Sequence, residues 1–182
     1  MRSLRFFVYS GWALFVVSLT MPAEVFSQDP PAMAKHERWV TSLAFAPDGS
    51  TLATVGGDSL LYRPGDVKLW NPATGEEVAS LEGHPTCVWA VVYTPDGKLV
   101  TSGYDGKLMV WSVAEKKSLA TLEKHKGWVR DLALAPDGKH FASAGEDGNV
   151  VIWNIEAEPK EVRTIKAHDA AVFCLAFAPD GT

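Results

Sequence analysis

The tripeptide Pro-Asp-Gly occurs four times, at Pro47, Pro95, Pro136 and Pro179, with spacings of 48, 41 and 43 residues. A histidine stands eleven residues before each of these prolines, at His36, His84, His125 and His168, and Trp70, Trp111 and Trp153 close the first three copies. Three marks held in phase define a unit of little more than forty residues. Such a unit is one supersecondary element that cannot bury a hydrophobic face alone, so the chain must be an array of stacked copies.

Each copy reads as short strands. Val40 to Phe45, Val88 to Tyr93, Val129 to Leu134 and Val172 to Phe177 each run into Pro-Asp-Gly, where proline presets φ and glycine accepts the positive φ of a tight turn. A second strand follows, Lys98 to Ser102 or His140 to Ala144, then a glycine turn and a third, Lys107 to Trp111 or Asn149 to Trp153. The fourth is Val78 to Glu82, Ser118 to Glu123 and Val162 to Lys166. The prediction is an all-β chain of four-stranded antiparallel meanders. Runs such as Leu108 to Trp111 and Val150 to Trp153 are apolar on both faces, so each sheet must be covered on both sides. With no helical segment to cover them, other copies of the sheet must, and radial stacking is the simplest arrangement.

These marks resemble the WD40 repeat family, whose signature joins a Gly-His step to a Trp-Asp step. The resemblance covers about residues 35–182 and implies a partial β-propeller: copy 1 at 36–83, copy 2 at 84–124, copy 3 at 125–167 and a partial copy 4 at 168–182. It departs from the signature in detail. Only His84 follows a glycine, and Asn71, Ser112 and Asn154 follow the tryptophans. Three full units and one further strand cannot close a ring of at least four blades, so the chain is expected to be part of a longer propeller or to self-associate through open blade faces.

A polar set recurs with the repeat. An aspartate follows each of the first three histidines by 21 or 22 residues, at Asp58, Asp105 and Asp147, and a hydroxyl lies four residues earlier, at Thr54, Thr101 and Ser143. The resemblance implies a structural hydrogen-bond network of His36, Thr54, Asp58 and Trp70; of His84, Thr101, Asp105 and Trp111; and of His125, Ser143, Asp147 and Trp153, with His168 opening a fourth. The same residue types form catalytic triads. A catalytic set, however, exists once and faces a cavity, whereas this one occurs three times and uses threonine twice. No catalytic residue, metal site or cofactor is predicted: the histidines lie on separate repeats, and the Asp-Gly turns lack the dense oxygen ligands of a calcium loop.

Function is therefore sought where equivalent positions differ, because blade packing does not dictate them. Thr41, Trp89, Arg130 and Phe173 form one such column, and Gly57, Tyr104 and Glu146 another. Aromatic and arginine side chains there are candidate anchors for a protein or peptide partner, with blade-to-blade packing as the competing role for Trp89 and Phe173. Trp39 and Trp128 share a column and are expected to pack. Six additional residues in copy 1, Ser59 to Pro64, include Leu61, Tyr62 and Arg63 as a candidate contact loop.

The N-terminus reads differently. Arg2 and Arg5 lead an apolar run from Leu4 to Leu19, and Val25 and Ser27 are the small residues before a cut at Gln28. That is the pattern of a secretory signal over residues 1–27, with 28–35 as linker, and export to the periplasm or medium follows. Retention as a membrane anchor through residues 4–19 is the alternative. With 22 acidic against 17 basic residues and no basic tract, a nucleic-acid partner is not expected. Cys87 and Cys174 are read as buried small side chains, with a disulfide between them as the alternative. The predicted function is a non-enzymatic interaction scaffold. The alternatives are the non-catalytic propeller part of a larger exported enzyme, or a purely structural module.

Overall fold

The structure is a computed structural model that describes the backbone of residues 4–10 and 13–19 and all of residues 36–58 and 63–181. Strands β1 (Leu4–Ser10) and β2 (Ala13–Leu19) pair antiparallel. Three four-stranded antiparallel sheets follow, each a meander in chain order. The first holds β3 (Trp39–Phe45), β4 (Leu52–Gly57), β5 (Asp66–Trp70) and β6 (Glu77–Ser80). The second holds β7 (Val88–Tyr93), β8 (Lys98–Gly103), β9 (Lys107–Ser112) and β10 (Lys117–Glu123). The third holds β11 (Val129–Leu134), β12 (His140–Gly145), β13 (Asn149–Asn154) and β14 (Lys160–Lys166). Among the described residues no helix is long and apolar enough to cross a membrane.

The Pro-Asp-Gly turns form as their chemistry requires. Gly49, Gly97, Gly138 and Gly181 have φ of 71°, 81°, 67° and 83°, and each amide donates to the carbonyl three residues back. Only glycine adopts that left-handed region without strain. The turn aspartates are used locally: Asp48 accepts from the Ser50 amide, and Asp137 from those of Lys139 and His140.

The apolar faces meet between sheets. One core cluster joins Ala53, Val55, Val67 and Leu69 of the first sheet to Val91, Leu99, Met109 and Trp111 of the second. A separate cluster joins Val100, Leu108 and Val110 of the second to Leu132, Phe141, Val151 and Trp153 of the third. The middle sheet is thus covered on both sides, and its strands β8 and β9 are buried at almost every position. Inner strand β7 lies beside both β3 and β11, so the sheets fan out from their first strands as propeller blades do. Outermost β14 is exposed along its whole length.

Three expectations change. Val172 to Phe177 belongs to no sheet. A strand exists only by pairing, and this segment is held by isolated bonds, Val172 N–H to the Gly145 carbonyl at 3.0 Å and Leu175 N–H to the Asp131 carboxylate at 2.9 Å. Cys174 is exposed rather than buried, because it lies on that unpaired segment, while Cys87 is buried and both thiols are free. Trp39 does not pack: it is 61 % exposed, because it stands opposite Gly57, which has no side chain to cover it. The linker 28–35, the cleavage position and Leu61 and Tyr62 of the insertion lie outside the described residues.

Candidate functional site

The repeated polar set forms a chain of hydrogen bonds in every sheet. In the second, Trp111 Nε1 donates to Thr101 Oγ1 at 2.8 Å, and that hydroxyl lies 2.7 Å from His84 Nε2. In the first, Trp70 Nε1 donates to Thr54 Oγ1 at 2.6 Å, with His36 Nε2 at 2.7 Å. In the third, Trp153 Nε1 donates to Ser143 Oγ at 2.9 Å, with His125 Nε2 at 2.7 Å. In one proton order the indole N–H donates to the hydroxyl, the hydroxyl O–H donates to Nε2, and the ring proton sits on Nδ1. It requires neutral imidazole. Burial pushes His84 down to about 4, and burial followed by the Lys68 charge lowers His36.

The last link closes only in the third sheet, where His125 Nδ1 donates to Asp147 Oδ1 at 3.1 Å. His36 Nδ1, His84 Nδ1 and Asp105 Oδ2 are buried without hydrogen bonds. For His84 and Asp105 the difference lies one residue past the histidine. Lys126 N–H donates to Asp147 Oδ2 at 2.9 Å and fixes the carboxylate, whereas the second copy has Pro85 at that place and no amide to give. The electrostatics follow. Burial works to raise Asp147, but bonds from the Lys126 amide, the His125 ring and the Asn149 amide outweigh it and hold the carboxyl below its ordinary value. Asp105, with fewer bonds, is raised by burial. Asp58 stands in the corresponding turn of the first copy, and His168 is exposed beside the unpaired segment.

Thr101 and Ser143 have no solvent exposure, and each hydroxyl is already bonded to an indole and an imidazole. A nucleophile must reach its substrate, and these cannot. Among the described residues no three histidine, cysteine or carboxylate side chains gather as a metal site.

Glycines Gly103 and Gly145 belong to the set and were not singled out from the sequence. A Cβ on Gly103 would stand 2.4 Å from Asp105 Oδ1 and 2.7 Å from His84 Nδ1; on Gly145, 2.2 Å from His125 Nδ1 and 2.6 Å from Asp147 Oδ1. Their signal was a glycine two residues before each repeated aspartate, Gly56 included.

The variable columns converge on one end of the sheets. Pairing slips by one residue between Val40 and Ser42, Val88 and Ala90, and Val129 and Asp131, making Thr41, Trp89 and Arg130 the extra residues of three equivalent bulges. A bulge re-aims its side chain. Trp89 stacks on Tyr104 with centroids 5.7 Å apart, and Tyr104 meets Trp128 at 3.7 Å. The Arg130 guanidinium lies 4.4 Å from the Trp128 ring, 5.0 Å from Trp89 and 5.2 Å from Phe173. Its Nη2 donates to exposed Glu146 at 3.3 Å. Trp128, expected to pack, is half-buried and packs on Tyr104 of the neighbouring blade, whereas Phe173 is 67 % exposed. The first copy contributes little: Gly57 has no side chain, and Thr41 turns inward to donate to the Val88 carbonyl at 2.6 Å. Arg63 is exposed.

Meanders stacked face to face, each pinned by a Trp-hydroxyl-His bond chain, define blades of a β-propeller repeat protein. The WD domain, G-beta repeat description matches residues 31–71, 75–112, 116–154 and 159–182, and the chain belongs to the WD40 family. The later matches begin at the outermost strand of one blade and continue into the next, so the sequence repeat and the sheet are offset by one strand. The chain is 34 % identical over 90 residues to WD repeat-containing protein 1 of Xenopus tropicalis, covering 45 % of this chain and 14 % of that protein. It is 36 % identical over 69 residues to the Intraflagellar transport protein 122 homolog of Danio rerio, covering 38 % and 5 %. It is also 38 % identical over 78 residues to the probable serine/threonine-protein kinase PkwA of Thermomonospora curvata, covering 40 % and 9 %. The chain thus spans less than a sixth of the length of these relatives.

Proposed function

We propose that this chain is a protein-interaction scaffold that engages a protein or peptide partner through the bulge end of its blades. The observation that carries this reading is the gathering of Trp89, Tyr104, Trp128, Arg130 and Phe173 from two blades and the following segment into one cluster. Aromatic and arginine side chains clustered at a surface have the composition of binding hot spots, and the repeated set beneath them leaves that end free to vary. A photo-crosslinker at Phe173 in source cells should yield a partner adduct that Trp89→Ala removes, while one at Lys139, at the opposite ends of the strands, yields none. Equal adducts from both positions would reject the surface.

A second reading has one supporting observation. The similarity to a protein named as a probable kinase, over a small part of its length, fits repeats that serve as the non-catalytic part of a larger chain. We further propose export directed by residues 1–27. The exported chain is expected to begin at Gln28; recovery of intact residues 4–19 in the membrane fraction would favour the anchor.

A further inference from the structure

Two N–H groups in the surface cluster lack an acceptor. Trp89 Nε1 and Arg130 Nε are both buried without a hydrogen-bond partner, and the guanidinium carbon lies 5.0 Å from the Trp89 ring. Leaving a buried donor unmet is costly, more so for a charged group. The charge itself is weakly matched. At 3.3 Å the bond to Glu146 is long for a charge-assisted one, and Glu146 is exposed. The rings of Trp128, Trp89 and Phe173 meanwhile keep water from the guanidinium.

Resting on the reading of this face as a partner surface, we propose that the cluster takes a carboxylate side chain from an extended peptide. Its oxygens take the place of Glu146 at the Arg130 Nη groups, beside the Trp89 indole, and a neighbouring apolar side chain lies against exposed Phe173. A carboxylate is acceptor-only and matches the guanidinium fork. A chain terminus is not the ligand, because capture of a terminus uses a nest of open backbone amides. Here the Tyr104, Glu146 and Val172 amides already donate to the carbonyls of Cys87, Trp128 and Gly145. A methylated amine is not the ligand either, since Arg130 already fills the space between the rings.

The test titrates the full chain with N-acetyl-glutamate N-methylamide, which has a side-chain carboxylate and no free terminus, and follows the Trp89 indole N–H by NMR. A saturable shift is expected with this probe, a weaker one with free acetyl-glycine, and none with N-acetyl-glutamine N-methylamide or acetyl-trimethyl-lysine methylamide. Arg130→Gln should abolish the shift. Arg130→Lys should weaken it at least tenfold, because lysine lacks the planar fork. Glu146→Gln, which removes the internal competitor, should tighten binding about two- to fivefold. Equal responses to glutamate and glutamine, a stronger response to acetyl-glycine or trimethyl-lysine, or loss of binding in a folded Glu146→Gln variant overturns the proposal. Silence toward both dipeptides while Trp89→Ala still abolishes the cross-linked adduct removes the carboxylate and leaves the surface; failure of both removes both.

Discussion

Pro85 and Lys126 occupy the same place, one residue after the histidines of neighbouring blades, and only Lys126 has an amide to give the aspartate of its turn. The same polar set is therefore closed in one blade and open in the next.

Replacing Pro85 with alanine should restore the missing donor and lower the Asp105 pKa, while Lys126→Pro should raise that of Asp147. Carboxyl carbon shifts followed against pH measure both. An Asp105 that keeps its raised pKa in Pro85→Ala would show that burial alone governs it.

Acid should loosen the blades through His84. Its pKa in the folded chain is depressed to about 4 from an ordinary value near 6.5, so the unfolded chain binds the proton first. The associated stability is fully present above about pH 6.5 and is lost as pH falls through about 4, roughly 3 kcal/mol in all. His36, also lowered, acts in the same direction, and Asp105, raised, acts against it at the acid end. Urea unfolding at pH 7 and pH 4.5 should show the loss in the native chain and a smaller one in His84→Gln. An identical loss in both would place the acid sensitivity elsewhere.

Gly145 should not tolerate a side chain. Its Cβ would fall on the His125 ring and the Asp147 carboxylate, both held by their own bonds. Gly145→Ala is expected to cost about 1–3 kcal/mol, read by chemical denaturation. A neutral result would mean the imidazole can withdraw without loss.

Much of this was legible from residue spacing. Proline and glycine in the Pro-Asp-Gly turns act locally, so the turns and the strands running into them could be placed, and strands apolar on both faces announced the stacking of sheets. The hydroxyl, imidazole and indole bonds were what the resemblance to WD40 repeats implied, on residues that the repeat keeps in register. What escaped depends on pairing or on a neighbour's backbone. Val172 to Phe177 has the side chains of a strand but no partner to make it one. The bulges that carry Trp89 and Arg130 are a slip between two strands, which neither strand encodes alone. Trp39 and Trp128 share a column, yet only Trp128 packs, on Tyr104 of the neighbouring blade, whereas Trp39 stands opposite Gly57. The fault at Asp105 was present in the letters as Pro85, but it takes on meaning only once Lys126 is seen donating.

Architecture and the proposed recognition fall to different residues: the repeated set holds the blades, and the variable bulge residues are the proposed contacts for a partner. Denaturation and N-acetyl-glutamate N-methylamide titration, measured together on Thr101→Val and Arg130→Gln, test this division most directly. Thr101→Val, which strands the Trp111 indole and His84 Nε2, should lose about 1–3 kcal/mol or more while its folded fraction binds as the native chain does. Arg130→Gln should keep its stability within about 1 kcal/mol and lose binding. The reverse pattern, with stability resting on Arg130 and binding on Thr101, would contradict the account.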